Sequence, residues 1–90
     1  MEKLTLETLT AGLEKIGYSI RDMQIWRWII DNHNKNTNIR VGYDFLEMRT
    51  KKATIYFAFD ECEIDMSEDD FLTIVAKENN SVFIQLNSLN

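Results

Sequence analysis

Apolar residues recur at every second position in some stretches of this chain and at every third or fourth position in others. These two spacings divide it into candidate strands and candidate helices. The cleanest alternation runs from Asn38 to Asp60. Ile39, Val41, Tyr43 and Phe45 alternate with Arg40, Gly42 and Asp44, and after Arg49-Thr50-Lys51-Lys52 the pattern resumes as Ile55, Phe57 and Phe59. β-Branched and aromatic residues suit a half-buried pleated surface, and a short polar connector suits antiparallel neighbours, so this stretch is expected to be a β-hairpin. Gly42 inside the first arm marks a bulge or a close approach. A further strand is expected over 81–87, with Val82, Ile84 and Leu86 on one face and Phe83 and Gln85 on the other.

Three stretches carry a helical signature. Over 4–16, Leu6, Leu9, Leu13 and Ile16 form one stripe, Thr5 can cap the start, and Gly17 suits a left-handed C-terminal residue. Residues 20–33 fit a helix that gathers Met23, Trp26 and Ile30, with Ser19 and Asp22 as a variant capping box. Ile25-Trp26-Arg27-Trp28-Ile29-Ile30 fits a strand as well, with Trp26, Trp28 and Ile30 on one face. The helix is the preferred assignment there, ended by the asparagine-rich run 32–38. Over 67–77, Ser67 as cap, the acids Glu68, Asp69 and Asp70 in the first turn, and Met66 with Phe71 as a hydrophobic staple predict a third helix. Its rival pairs 71–76 with 81–86 as a hairpin turning at Asn79-Asn80, which Thr73-Ile74-Val75 favours.

Assembled, the expected order is α-α-β-β-α-β, or α-β-β-β-α-β if 20–30 is extended. Either way the expectation is a two-layer α+β fold, with a mostly antiparallel sheet of three to four strands and helices on one face. Residues 1–90 are expected to form a single domain, since a chain of this length buries roughly 60% of the surface its unfolded form exposes. Ile39, Val41, Ile55, Phe57, Val82 and Ile84 are expected to face the helices. Tyr56, Phe83 and Leu46 should face outward with Arg40, Asp44, Thr54 and Gln85.

Charge changes the picture more than composition does. Residues 1–52 hold seven acids and nine bases, whereas 53–90 hold eight acids and the single base Lys77. Seven of those acids lie within eleven residues: Asp60, Glu61, Glu63, Asp65, Glu68, Asp69 and Asp70. An acidic surface repels a phosphate backbone and draws basic partners, so no direct binding to nucleic acid is expected. The cluster lacks the glycine of a calcium-binding loop, so it is not read as a metal site. No apolar run approaches the roughly 18 residues of a membrane span, and the opening Met-Glu-Lys-Leu-Thr lacks a secretory layout; a cytoplasmic protein with no membrane association is expected.

Candidate chemistry is sparse. His33 is the one histidine, too few for a Ser–His–Asp set or a zinc site, and Cys62 sits between Glu61 and Glu63, which disfavour its thiolate. There is no phosphate-cradling loop and no dinucleotide fingerprint. No cofactor and no catalysis are expected. The residues point to a small binding module, an inhibitor, immunity-type or regulatory protein of bacterial or phage origin. Its acidic face would enter a basic groove on another protein, including one that normally holds nucleic acid. Asp60, Glu61, Glu63, Asp65, Glu68, Asp69 and Asp70 would supply the electrostatics, and Tyr56 and Phe83 the apolar contacts. The alternative is a self-associating structural subunit, a homodimer through a sheet edge or through the Trp26/Trp28 surface.

Overall fold

The computed structural model describes residues 1–23, 26–31 and 38–90. The fold is α+β, with one α-helix and two antiparallel sheets. The chain runs β1 (Glu2–Lys3), α1 (Leu6–Lys15), β2 (Tyr18–Met23), β3 (Trp26–Asp31), β4 (Ile39–Val41), β5 (Phe45–Arg49) and β6 (Thr54–Ala58). A 3₁₀ turn (Phe59–Glu61) then leads to β7 (Cys62–Asp65), β8 (Phe71–Ala76) and β9 (Phe83–Asn87). β2 to β6 form a five-stranded meander in chain order, while β1, β7, β8 and β9 form a four-stranded sheet in that spatial order. No helix among the described residues is long and apolar enough to cross a membrane.

The helix forms where its stripe places it. The Thr5 hydroxyl accepts from Thr8 N–H at 3.1 Å, and Thr5 N–H donates to the Thr8 hydroxyl at 2.9 Å, so each residue satisfies an otherwise orphaned donor. Leu9 and Leu13 are fully buried, and Ile16 is nearly so. They meet Ile29, Val41, Leu46 and Phe57 from the five-stranded sheet and Cys62, Ile64, Leu72, Ile74 and Ile84 from the four-stranded one. One core is therefore shared by the helix and the inner faces of both sheets.

The helix ends at Gly17, whose φ of +96° is a conformation that side-chain-bearing residues rarely adopt. The C-terminal segment closes over this end: Leu89 N–H donates to Ile16 O at 2.8 Å, and Asn90 Nδ2 donates to Lys15 O at 3.0 Å. A Cβ at residue 17 would lie 2.9 Å from Asn90 Oδ1 and 3.1 Å from Leu89 Cβ. Gly17→Ala should accordingly cost about 1–2 kcal/mol of stability from backbone strain alone, with a further cost if the C-terminal strap is displaced. Urea denaturation of the two proteins checks this.

Three expectations are corrected. Residues 18–31, as far as they are described, form the hairpin β2–β3 and not a helix. Ser19, Ile20, Arg21 and Met23 lie opposite Ile30, Ile29, Trp28 and Trp26. The β-branched and aromatic run wins because Ile29 is buried on one face while Trp26 and Trp28, both half-buried, lie beside Arg40 on the other. Residues 71–77 are not a helix either. β8 is a central strand between β7 and β9, with Ile74 opposite both Ile64 and Ile84. Ser67 does not cap a helix; its N–H and hydroxyl both donate to Asp65 Oδ1, at 3.0 and 2.7 Å, closing a turn at the end of β7. The β8–β9 turn at Asn79 has Val82 N–H donating to Asn79 O at 3.0 Å.

The third correction concerns the first hairpin arm. Gly42 N–H donates to Phe45 O at 2.8 Å, so the chain reverses at 42–44 and the expected arm becomes two strands, β4 and β5. A Cβ on Gly42 would collide with the Phe45 ring, which explains the glycine. The reversal resets the parity of the second strand, so Leu46, expected outside, is buried. Ile55 and Val82, expected inside, keep the parity of buried Phe57 and Ile84 but lie near the start of β6 and just before β9, where they are 39% and 43% exposed. The single three- to four-stranded sheet is thus replaced by two sheets and the three helices by one. His33, Ile25 and most of the asparagine-rich run lie outside the described residues.

Candidate functional site

The seven clustered acids are divided among three places. In β7, Cys62 and Ile64 point into the core, so Glu63 and Asp65 must point out. Ladder register aligns Glu63 with Lys3, Val75 and Phe83, and Asp65 with Thr73 and Gln85. The outer face of the four-stranded sheet therefore holds two carboxylates on β7 and, two strands away across Val75, Phe83, which is 54% exposed. Glu68, Asp69 and Asp70 lie exposed in the loop between β7 and β8. Asp60 and Glu61 occupy the 3₁₀ turn, where Lys77 Nζ donates to the Asp60 carbonyl at 3.1 Å.

These carboxylates are not neutralised internally. Among the described residues, one ion pair uses the group, Asp69 with Lys15 at 3.3 Å, and Asp69 is 93% exposed there, so the pair contributes little. The Asp65 carboxyl is held below the usual carboxylate range by the Ser67 hydroxyl and N–H. Burial, reinforced by Glu61, pushes the Cys62 thiol above its ordinary value, which keeps it protonated and unreactive. Among the described residues, no group of three or more His, Cys, Asp or Glu is placed to hold a metal ion.

Tyr56 is not part of this patch. It is 62% exposed on the outer face of the other sheet, across the shared core from Phe83. Register sets Arg21, Trp28, Arg40, Glu47 and Tyr56 in one row across all five strands. Sequence reasoning missed the centre of this row. Glu47 is 1% exposed, bonded to Arg40 through Nε and, at 3.1 Å, through Nη2, with Arg49 3.8 Å away. The Arg40 guanidinium lies 3.6 Å from the Trp26 ring centre. Trp26 meets Phe45 edge-on at 6.1 Å, and Phe45 meets Tyr56 likewise at 5.7 Å. The Arg40 hydrogen bond holds the Glu47 carboxyl below its ordinary range against the cost of burial, with smaller help from Tyr56 and Arg49. The one available signal was Arg40 alternating outward in a strand, since an arginine on a sheet face can take a carboxylate from the next strand.

No protein-family model, curated protein or solved structure matches this chain. A functional reading therefore rests on its surfaces. Residues 18–58, which make the five-stranded sheet and its connections, hold seven bases and four acids, whereas the remaining segments hold three bases and eleven acids. Bases gather with the five-stranded sheet and acids with the helix, the four-stranded sheet and its loops, and an array of one sign with an apolar residue in it is suited to binding a surface of the opposite sign.

Proposed function

We propose that this protein acts by binding another protein, not by catalysis, and that the outer face of its four-stranded sheet engages a basic surface on that partner. The observation that carries the reading is the row structure of that face. Glu63 and Asp65 share two rows with Phe83 and Gln85, two strands away across Val75 and Thr73, with Glu68, Asp69 and Asp70 in the loop that follows β7. Exposed carboxylates accelerate encounter with a basic partner, and a half-exposed phenylalanine on the same face offers an apolar anchor. A partner groove that normally holds nucleic acid has the required sign, which makes an inhibitory, immunity-type or regulatory role the natural one. Tyr56 has no part in this contact, because it projects from the opposite sheet.

The test uses proteins retained by the immobilised chain from a host lysate. The expected set is basic and released by moderate salt, and Glu63→Lys with Asp65→Lys should weaken its retention roughly tenfold or more. Phe83→Ala should speed release without changing the salt dependence. If the same proteins stay equally bound to the doubly reversed variant, the acidic sheet face has no role in recognition.

A further inference from the structure

We infer that β6 is a self-complementary edge and that two copies of this chain pair through it, antiparallel, about Tyr56. This inference is independent of the partner reading, since it uses the other sheet.

β6 is the last strand of the five-stranded sheet, and no backbone group among the described residues pairs with its far side. The direction of its free groups follows from the ladder. Thr50 N–H donates to Ala53 O at 2.8 Å, and Phe59 N–H donates to Asp44 O at 2.9 Å. Antiparallel ladders alternate hydrogen-bonded and non-hydrogen-bonded pairs. Met48–Ile55 and Leu46–Phe57 are therefore the bonded pairs, and Thr54, Tyr56 and Ala58 direct their N–H and C=O groups outward. The strand has none of the usual protections of an edge: Thr54-Ile55-Tyr56-Phe57-Ala58 carries no charge and no proline, and Thr54, Ile55 and Tyr56 are exposed.

The occupant is argued from charge. Lys51 and Lys52 precede the strand, and Asp60 and Glu61 follow it. All four are exposed, and none takes part in an ion pair among the described residues. Antiparallel pairing with Tyr56 opposite Tyr56 sets Thr54 against Ala58, which matches the outward-facing groups. It also brings the Lys51–Lys52 end of each copy to the Asp60–Glu61 end of the other. A register slipped by two residues in either direction loses this match. A second copy of the chain thus satisfies the backbone and the charges together, through an isologous contact. The contact is short, so the dimer is expected to be weak and concentration-dependent.

Sedimentation equilibrium over about 1 µM to 1 mM reads the association directly. The wild-type mass should rise from that of one chain toward that of two. Lys52→Glu and Asp60→Lys, each acting twice by symmetry, should each weaken dimerisation roughly tenfold. Mixing these two variants, or combining them in one chain, should restore it, because both arrangements rejoin opposite charges. Tyr56→Pro should abolish it while leaving the bonds to β5, since residue 56 directs its N–H outward. Circular dichroism confirms that each variant is folded. A wild-type chain that stays monomeric throughout this range overturns the inference. So does a dimer that is indifferent to the charge variants, or variants whose mixture fails to restore association.

Discussion

Ile74→Ala should lower the unfolding free energy by about 2–5 kcal/mol, a large share of the roughly 5–15 kcal/mol that a small domain possesses. Ile74 is 1% exposed and lies between Ile64 and Ile84 in the centre of the four-stranded sheet, in the same buried cluster as the helix stripe. Truncation there leaves a void that three elements would have to move to fill. Phe71→Ala should cost less than half as much, although phenylalanine is the larger residue, because Phe71 is only partly buried on the outer face of the same strand. The ranking separates the strand from the helix that Ser67 and its acids suggest, in which Phe71 would be the anchor. Chemical denaturation of the two variants decides it, and a larger loss for Phe71→Ala would contradict the strand geometry.

Glu47→Ala should cost about 3 kcal/mol, toward the lower end for breaking a buried ion pair. The lower end applies because Glu47 is covered by side chains but lies only one layer deep, and Arg40, 16% exposed, can turn toward water once its partner is gone. Acid should reveal the same interaction. The Glu47 carboxyl is depressed in the fold below its ordinary 4.5, so the unfolded chain takes up the proton first. Its contribution is whole above 4.5 and is lost as pH falls from there toward the folded value. Glu47→Gln should therefore be less stable than wild type at neutral pH and lose less stability through the acid range. Asp65 is depressed as well and leaves a residual slope of the same sign. Denaturation curves at neutral pH and at steps below 4.5 test both halves; parallel acid losses in the two proteins would remove Glu47 from the account.

The helix over Leu6–Lys15 is legible in the sequence because its signals are local: a stripe, a cap and a terminal glycine, each stated within four residues. The strands were harder for two reasons. At 20–30, the apolar positions satisfy both periods, and only the pairing of Trp26 and Trp28 with Met23 and Arg21 on the neighbouring strand selects extension. At 67–77, a good local start for a helix is overruled by what lies far away. Asp65 claims the Ser67 donors, and Ile64 and Ile84 flank Ile74. The acidic stretch was legible as composition, but its division among a sheet face, a loop and the turn after β6 was not, since that depends on the 3₁₀ turn at Phe59–Glu61 and on the parity of β7. The Arg40–Glu47 pair could not be read from spacing within one strand, because its two members face each other across two.

The strand at residues 2–3 pairs with Cys62–Asp65, and the end of the helix is sealed by residues 89–90. Both closures join parts of the chain that a ribosome delivers far apart in time. The helix is made early, and its apolar stripe can meet the five-stranded sheet first, but the core is completed only when the last strands emerge. Folding of this protein is consequently expected to finish only after the last strands are made, and more slowly than its helix alone would suggest.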